Sequence, residues 1–474
     1  MSRELVTRKQ LRKIGFPKGE VTRTAMQLLR GIENMRHHEA VALLKALLAQ
    51  PEKYLEDKQW HPLAQLLVIS KPHDYPETIP LIEGNTRMRI FGEELIDPGA
   101  IEQIETAMKL PVTVAGALMP DAHVGYGLPI GGVLAVKDAV IPYGVGVDIG
   151  CRMALSIFDI PVKELNGSVG HFRKAILDST CFGAGKGFAK SKRSEHQVLE
   201  DPLFKTNPLL ASLHERAWEQ LGSSGGGNHF VEFGIIRFEK DQPDLKLAAG
   251  DYVAFLSHSG SRGLGARIAD YYTKLAKSLC KLPKEAANLA YLSLGSEAGA
   301  EYWAAMELAG QYASANHEII HNKIYDYFSV KPLAKVENHH NFAWKEVHFG
   351  EEVIVHRKGA TPAGKGVLGF IPGSMSTSGF LVRGKENASS LHSAAHGAGR
   401  RLSRNAAIQT LQRDELNQIL NEKGITLIGA GMDEAPMAYK DIHAVMAAQT
   451  ELVETAGIFQ PQIVRMTHDG SRED

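Results

Sequence analysis

Cysteine is scarce in this chain: Cys151, Cys181 and Cys280 are the three in 474 residues, too few and too scattered for a disulfide framework. No Cys-x-x-Cys pair occurs, which argues against a closed structural zinc site, and the H-E-x-x-H spacing of metalloproteases is likewise read as missing. Charge of either sign in excess is also lacking. Fifty-three basic side chains meet 54 acidic ones for a formal −1, so no global basic field points to nucleic acid, although a local basic groove remains compatible. No apolar run approaches the roughly 18 residues of a membrane helix, and no apolar segment follows the charged opening MSRELVTRKQ as a signal peptide would require. These absences predict a reducing, cytoplasmic setting and no membrane partner. A Walker A loop is missing too. The run from Cys181 to Gly187 has no glycine five residues before Gly185 and no Ser or Thr after Lys186, so with Lys190 to Arg193 it reads as a solvated basic loop or a phosphate-backbone contact.

What the chain has in quantity is glycine, 46 residues, and histidine, 20. Residues 1–75 read as helical, with apolar residues at three- and four-residue spacing in TAMQLLRGIENM and HEAVALLKALLAQ and a stop at Pro51. A boundary is expected near Lys71 to Pro76, where prolines interrupt the pattern. Beyond it the texture turns to short β-like runs, glycine turns and isolated polar clusters. The stretch from Arg267 to Tyr327 is alanine-rich, helical and read as packing, and the tail THDGSRED is polar.

Val140 to Met153, VIPYGVGVDIGCRM, organises the rest. Glycines 144, 146 and 150 frame Asp148 and Cys151, a carboxylate and a potential thiolate three residues apart. That donor pair suits a divalent transition ion better than Mg²⁺ or Ca²⁺; a tight turn with a capping Asp and a buried Cys is the alternative. Histidines recur in similar settings: His229 after Gly225-Gly226-Gly227-Asn228, His258 at the end of a strand-like run, and His339-His340 in an extended segment. Adjacent extended residues face opposite ways, so at most one of the last two serves a given site. Asp121 and His123 alternate and can share a face, either orienting a ligand or forming a structural pair. His356-Arg357-Lys358-Gly359 suits phosphate recognition or a surface turn. His396 stands among small residues, with Gly397 and Gly399 beyond it, open to act as a nucleophile toward phosphorus. One Asp, one Cys and several His in glycine turns have the makings of a Zn²⁺ or Mn²⁺ site serving phosphoryl or nucleotidyl transfer.

Taken together, PDAHVGYGLPIGGV, GVDIGC, GGGNHFVE, HSGSRGLG, NHHNFAW, HRKGATPA, PGSM, HGAGRRLSR and EAPMAYKDI resemble, in order from about residue 77 to 445, the RtcB family of RNA ligases. The resemblance implies an α+β fold: a single large mixed α/β catalytic domain over 76–474 with a central metal-site cleft, preceded by a helical segment over 1–75. It implies a GTP- and Mn²⁺-dependent enzyme of RNA repair or tRNA splicing, joining RNA 3′-phosphate or 2′,3′-cyclic phosphate ends to 5′-hydroxyl ends. By motif position, Asp148, Cys151, His229, His258 and His340 would hold two Mn²⁺ ions, with Cys151 bridging. His396 would take GMP from GTP. Asn228, Glu232, Ser374, Gly397, Ala398, Gly399 and Tyr439 would contact the guanylate, and an archease-like activator is a candidate partner. The Lys-x-Asp-Gly signature of ordinary ATP-dependent ligases is absent, in keeping with a histidine nucleophile.

Four departures from the family pattern bear on the site. Arg152 follows Cys151 where glycine is common, placing a charge beside the metals. Ser376 and Gly379 alter the PGSM turn. Met466 falls where a terminal lysine would reach the nucleotide, leaving Arg465 as its candidate replacement. A di-metal phosphoesterase acting on nucleic-acid or nucleotide ends would use the same Asp, Cys and His shell without His396 as nucleophile.

Overall fold

The computed structural model describes residues 5–16, 20–30, 35–70, 77–84 and 87–467. The boundary expected at Lys71 to Pro76 and the tail beyond Thr467 lie outside them. The chain divides into two compact units, Met1–Glu77 and Thr78–Asp474.

The first unit holds helices Arg8–Ile14, Glu20–Arg30, His37–Ala49 and His61–Ser70. Thr7 opens the first with a reciprocal capping box to Gln10, and Gly15 ends it in the left-handed region at φ 106°, a conformation glycine adopts without a Cβ penalty. Leu11, Leu44, Leu47 and Leu63 form its apolar centre, which follows the helical spacing of the sequence.

The second unit is mixed α and β, built on two sheets. The five-stranded sheet runs, edge to edge, Met88–Ile90, Thr113–His123, Ile130–Val136, Glu351–Lys358 and Asn341–His348. The eight-stranded sheet runs Leu368–Ile371, Gly379–Gly384, Val453–Met466, Phe230–Phe238, Gly250–Ser259, Arg152–Phe158 and Ala334–His339, with Thr426–Gly429 pairing in parallel against Val453–Met466.

Strand direction in the larger sheet decides where chemistry can be placed. Four neighbours are antiparallel, with Phe230 opposite His258, His258 opposite Met153, and Arg152 opposite His339. Two of these strands therefore start, and two end, at one edge of the sheet. Residues just before Arg152 and Phe230, and just after or within the ends of the other two, must lie side by side there. Cys151, His229, His258 and His340 occupy those positions.

The alanine-rich region forms helices Arg262–Leu279 and Glu297–Phe328. Its small side chains do more than fill space. Gly150, left-handed at φ 74°, lies so close to Gly310 of the long helix that a methyl group on Gly150 would stand 2.9 Å from the Gly310 Cα. The turn carrying Asp148 and Cys151 is thus seated directly on helix backbone, an approach only glycine permits. Among the described residues, no helix is long and apolar enough to cross a membrane.

Candidate active site

The sheet edge gathers the five residues expected to hold metal. Cys151 Sγ is 3.2 Å from His258 Nε2 and 3.5 Å from His229 Nε2. His258 Nε2 is 3.4 Å from His340 Nε2, and His229 Nε2 is 3.0 Å from Asp148 Oδ2. Two triads result, Cys151/His258/His340 and Asp148/Cys151/His229, all buried, with ligand atoms within 4.8 Å of one another. Cys151 belongs to both.

The donors fit a divalent transition ion. The Asn228 carbonyl accepts from His258 Nδ1 at 3.2 Å, which fixes the proton there and leaves Nε2 with a lone pair facing the thiol and the second imidazole. His340 Nδ1 is buried without a hydrogen-bond partner among the described residues. Burial drives His258 and His340 well below the ordinary imidazole range, which favours the neutral rings that a metal would need. Burial works to raise the Asp148 carboxyl, but His229 and the Arg262 guanidinium outweigh it and hold the group well below the usual carboxylate range. Arg262 is itself buried and donates from Nη1 to His229 Nδ1 at 3.0 Å, which puts the ring proton on His229 Nε2, toward Asp148, where a bound metal would have to displace it. It reaches that position because Gly225 has no side chain: a methyl there would stand 1.4 Å from Arg262 Nη2.

His396 faces this centre, its ring centroid 4.9 Å from that of His340. It follows the short strand Ser393–Ala395, paired with Ala360–Pro362, rather than opening a helix. Asp121, fully buried at the end of Thr113–His123, supplies the orientation. Its Oδ2 accepts from His396 Nδ1 at 2.6 Å, from the His396 amide at 3.1 Å and from the Gly397 amide at 3.3 Å. The Nδ1 proton is thereby fixed and Nε2 is left with its lone pair. His123, expected to share a face with Asp121, does line the cleft, pushed down to about 4 by burial and hence neutral.

A cleft of about 640 Å³ opens over both features, within the range of small-ligand sites. Asn228, Glu232, Ser374, His396, Gly397, Ala398, Gly399 and Tyr439 all line it, as do Asp148, Cys151, His258 and His340; His229 sits buried behind them. Tyr439 is anchored by a hydrogen bond to Glu434 and lies under the Arg400 guanidinium, 5.1 Å from its ring centroid. Thr377 Oγ1 accepts from the Ser374 amide at 2.6 Å, so the altered PGSM turn is closed by a side chain.

Two expectations need correction. Arg465 does not replace the missing lysine. Alternation along Val453–Met466 turns it away from the cleft, where Nη1 donates to the Thr180 carbonyl at 3.2 Å and hydroxyl at 2.9 Å, its guanidinium lying over Phe182. Met466 lines the cleft instead. Arg152 does not leave an unpaired charge beside the donor cluster either. It pairs with Glu337 and donates to the carbonyls of Gly150, at 3.1 Å, and Gly310, at 2.7 Å. Of His356-Arg357-Lys358, only Lys358 lines the cleft. Its strand is buried, not a surface turn; Arg357 is held by Glu346 and His356 accepts from the Ile141 amide. His339 turns away from the site onto Phe342 and Trp344, as adjacent extended residues must.

Asn341 has no motif that singles it out. It bridges the metal turn and the Lys358 strand, donating to the Asp148 carbonyl at 3.3 Å and accepting from the Gly359 amide at 2.8 Å. A third expectation also needs correction: the H-E-x-x-H spacing of zinc peptidases is not missing, because the long helix carries it as His317-Glu318-Ile319-Ile320-His321. Here it is structural. Ser257 Oγ stands 2.7 Å from His317 Nδ1 and 2.8 Å from His321 Nε2, Ser156 Oγ is 2.7 Å from His321 Nδ1, and His317 Nε2 donates to the Ser259 carbonyl at 3.1 Å. All four ring nitrogens are engaged in tying the helix to the strands that carry the site.

Glu232 provides a stability test. Burial alone pushes its carboxyl from 4.5 up to about 8. The folded chain therefore holds a proton that the unfolded chain releases, and stability falls as pH rises from about 4.5 to about 8, then levels. A Glu232→Gln protein keeps the shape without the titration. Its Tm advantage over wild type is expected to grow to a few degrees between pH 5 and pH 8 and stay level above, since each pH unit shifts stability by about 1.4 kcal/mol and a unit of this size moves by about 1 °C per kcal/mol. A pH-independent difference in thermal unfolding would refute the buried, protonated state.

A cysteine-centred cluster of possible metal donors facing a carboxylate-oriented histidine, in the cleft of a mixed α/β domain, suits an enzyme of nucleotidyl or phosphoryl transfer. The chain belongs to the RtcB family: the model of tRNA-splicing ligase RtcB matches residues 103–206 and 204–467. RNA-splicing ligase RtcB of Escherichia coli K12 is 34% identical over 390 residues, 76% of this chain and 92% of that protein. The tRNA-splicing ligases RtcB of Methanococcus maripaludis and Thermococcus kodakarensis are each 31% identical, covering 77% and 78% of this chain and 90% and 92% of their own.

Proposed function

We propose that this chain is an RNA ligase that uses GTP and two Mn²⁺ ions, working through a histidine–GMP intermediate to join RNA 3′-phosphate or 2′,3′-cyclic phosphate ends to 5′-hydroxyl ends. Membership of a family of RNA-splicing ligases supports the RNA ligase activity. The observation that carries the mechanism is the Asp121–His396 pair at the rim of the cysteine-centred donor cluster.

In this reading, Asp148, Cys151, His229, His258 and His340 would hold the metal ions. When bound, the ions supply positive charge that neutralises phosphate oxygens during transfer. Asp121 holds the proton on His396 Nδ1 and presents Nε2 to the α-phosphorus of the nucleotide. A P–N bond forms there as the bond to the departing pyrophosphate breaks, and the carboxylate stabilises the cationic imidazole that results. Asn228, Glu232, Ser374, Tyr439 and the backbone of Gly397, Ala398 and Gly399 surround the nucleotide. The guanylyl group then passes to the RNA 3′-phosphate, so that the 5′-hydroxyl of the second end meets phosphorus with a good leaving group.

Intact mass after incubation with GTP and Mn²⁺ tests the reading. Wild type is expected to gain one GMP, and His396→Ala none. An adduct with another nucleotide but not GTP would move the donor assignment to the Met466 side of the cleft. No adduct with any nucleotide would favour a di-metal phosphoesterase.

A further inference from the structure

The proposed chemistry leaves one wall of the cleft unused. Val124, Tyr126 and Val147 line it with side chains 52%, 67% and 41% exposed, a run of apolar surface that a protein leaves open at a cost unless something covers it. Tyr126 stacks on Tyr143, centroids 6.1 Å apart and planes 26° from parallel, with its outer face free.

The turn that carries Tyr126 is held firmly. Gln103 brackets the Gly125 peptide on both sides, Nε2 donating to its carbonyl at 2.6 Å and Oε1 accepting from its amide at 2.9 Å. Gly127 is left-handed at φ 73°, and a methyl on it would stand 2.9 Å from the Asn288 carbonyl oxygen. An exposed aromatic on a pinned turn is pre-organised to receive a flat partner with little entropy to lose.

A buried lysine links this wall to the nucleophile, its amine pushed down by burial to about 7 and drawn to its charged form by a phosphate placed beside it. Lys358 Nζ donates to the carbonyls of Tyr126, at 2.6 Å, and Tyr143, at 3.3 Å, and lies 5.1 Å from the Tyr143 centroid. The next residue, Gly359, packs against His396, where a methyl on it would stand 3.1 Å from Cε1. Aromatic faces beside a positive charge form the arrangement that receives single-stranded nucleic acid, bases stacking while backbone phosphates meet the cation. Glu232, Ser374 and Met466 belong to the part of the cleft assigned above to the nucleotide, which leaves the tyrosine wall for RNA.

We infer that the Tyr126–Tyr143 pair is a stacking platform for the terminal base of the RNA strand bearing the 3′-phosphate, with Lys358 beside the adjoining phosphate. The inference rests on the RNA ligase reading and concerns only how that RNA end is gripped. The strand assignment follows from position, because Lys358, bound to the Tyr126 and Tyr143 carbonyls, precedes the Gly359 that packs against the histidine that must hand its nucleotidyl group to that 3′-phosphate.

The test uses the full chain and a short single-stranded RNA ending in 2-aminopurine with a 3′-phosphate. Fluorescence quenching on binding is expected with wild type and with Tyr126→Phe, which keeps the ring, and is expected to be lost with Tyr126→Ala. Binding of the normal RNA by Tyr126→Ala is expected to weaken about 10-fold. Replacing the terminal base by an abasic ribose should cost wild type a similar factor and cost Tyr126→Ala nothing further. Equal abasic losses in the two proteins would overturn the platform. Quenching only when 2-aminopurine sits at a 5′-hydroxyl end would overturn the strand assignment. Failure of the ligase reading would show separately, as absence of the nucleotide adduct in wild type.

Discussion

In an Asp121→Ala protein, adduct formation at His396 is expected to fall by about 10³- to 10⁴-fold, the scale of loss when a catalytic imidazole loses the carboxylate that orients it. The cause is specific. Oδ2 of Asp121 gathers three N–H groups, two from the backbone at 396–397 and one from the ring. Without it the ring is free to rotate and to move its proton to Nε2, the atom that must attack. Asp121→Asn separates orientation from charge. An amide oxygen at the Oδ2 position still accepts all three donors, so the tautomer survives, while the negative charge that stabilises the cationic product is gone; an intermediate loss is expected. Single-turnover mass measurements give the rates, and Mn²⁺ content should match wild type in both variants, since Asp121 touches no metal donor. An Asp121→Ala protein reacting within tenfold of wild type would remove the carboxylate from the mechanism.

The same pair shows how far the sequence can be read. Asp121 and His123 are visible as an alternating pair with polar work to do, and His396 as an imidazole in a glycine setting. That Asp121 serves His396 rather than its near neighbour is not visible, because 275 residues separate them and only the packing of Ser393–Ala395 beside Thr113–His123 brings them together. The metal donors are easier to read. Cys151, His229, His258 and His340 each stand at a strand end beside a turn, and antiparallel neighbours bring such ends to one edge whatever their sequence distance. Side-chain direction is legible where period-two alternation governs it, as for His339 and His340. The same rule turns Arg465 away and Met466 inward, yet a positive charge next to an expected lysine position reads from sequence alone as its replacement. Arg152 is a similar case: its charge is plain, whereas its partner Glu337 lies on a neighbouring strand. H-E-x-x-H at 317–321 is the reverse, a spacing with a mechanism attached whose imidazoles are consumed by Ser156, Ser257 and the Ser259 carbonyl.

Cys151 offers the sharpest test of the metal centre, because one sulfur belongs to two donor triads. If each triad holds one Mn²⁺, removing a ligand from one should cost one ion and removing the shared ligand should cost both. Equilibrium dialysis of wild type is expected to give two ions per chain. His340→Ala should drop the count to about one by opening the Cys151/His258/His340 triad. Asp148→Ala should do the same for Asp148/Cys151/His229, and there the Ser261 amide, which donates to Asp148 Oδ1 at 2.9 Å, loses its acceptor as well. Cys151→Ala should leave neither triad with three protein donors and reduce binding at both positions by about 100-fold or more. Cys151→Ser separates geometry from chemistry: the hydroxyl keeps the position but stays protonated near neutral pH, whereas a thiol gives up its proton to a bound metal. If serine restores two ions, the site is defined by shape alone. If Cys151→Ala still binds one ion as tightly as wild type, the sulfur is not shared and the two triads are independent. Nucleotide adduct formation in the same proteins then tells which ion the histidine step requires. His340→Ala opens the triad whose ring lies 4.9 Å from His396 and is expected to lose adduct formation, by on the order of 10²-fold or more.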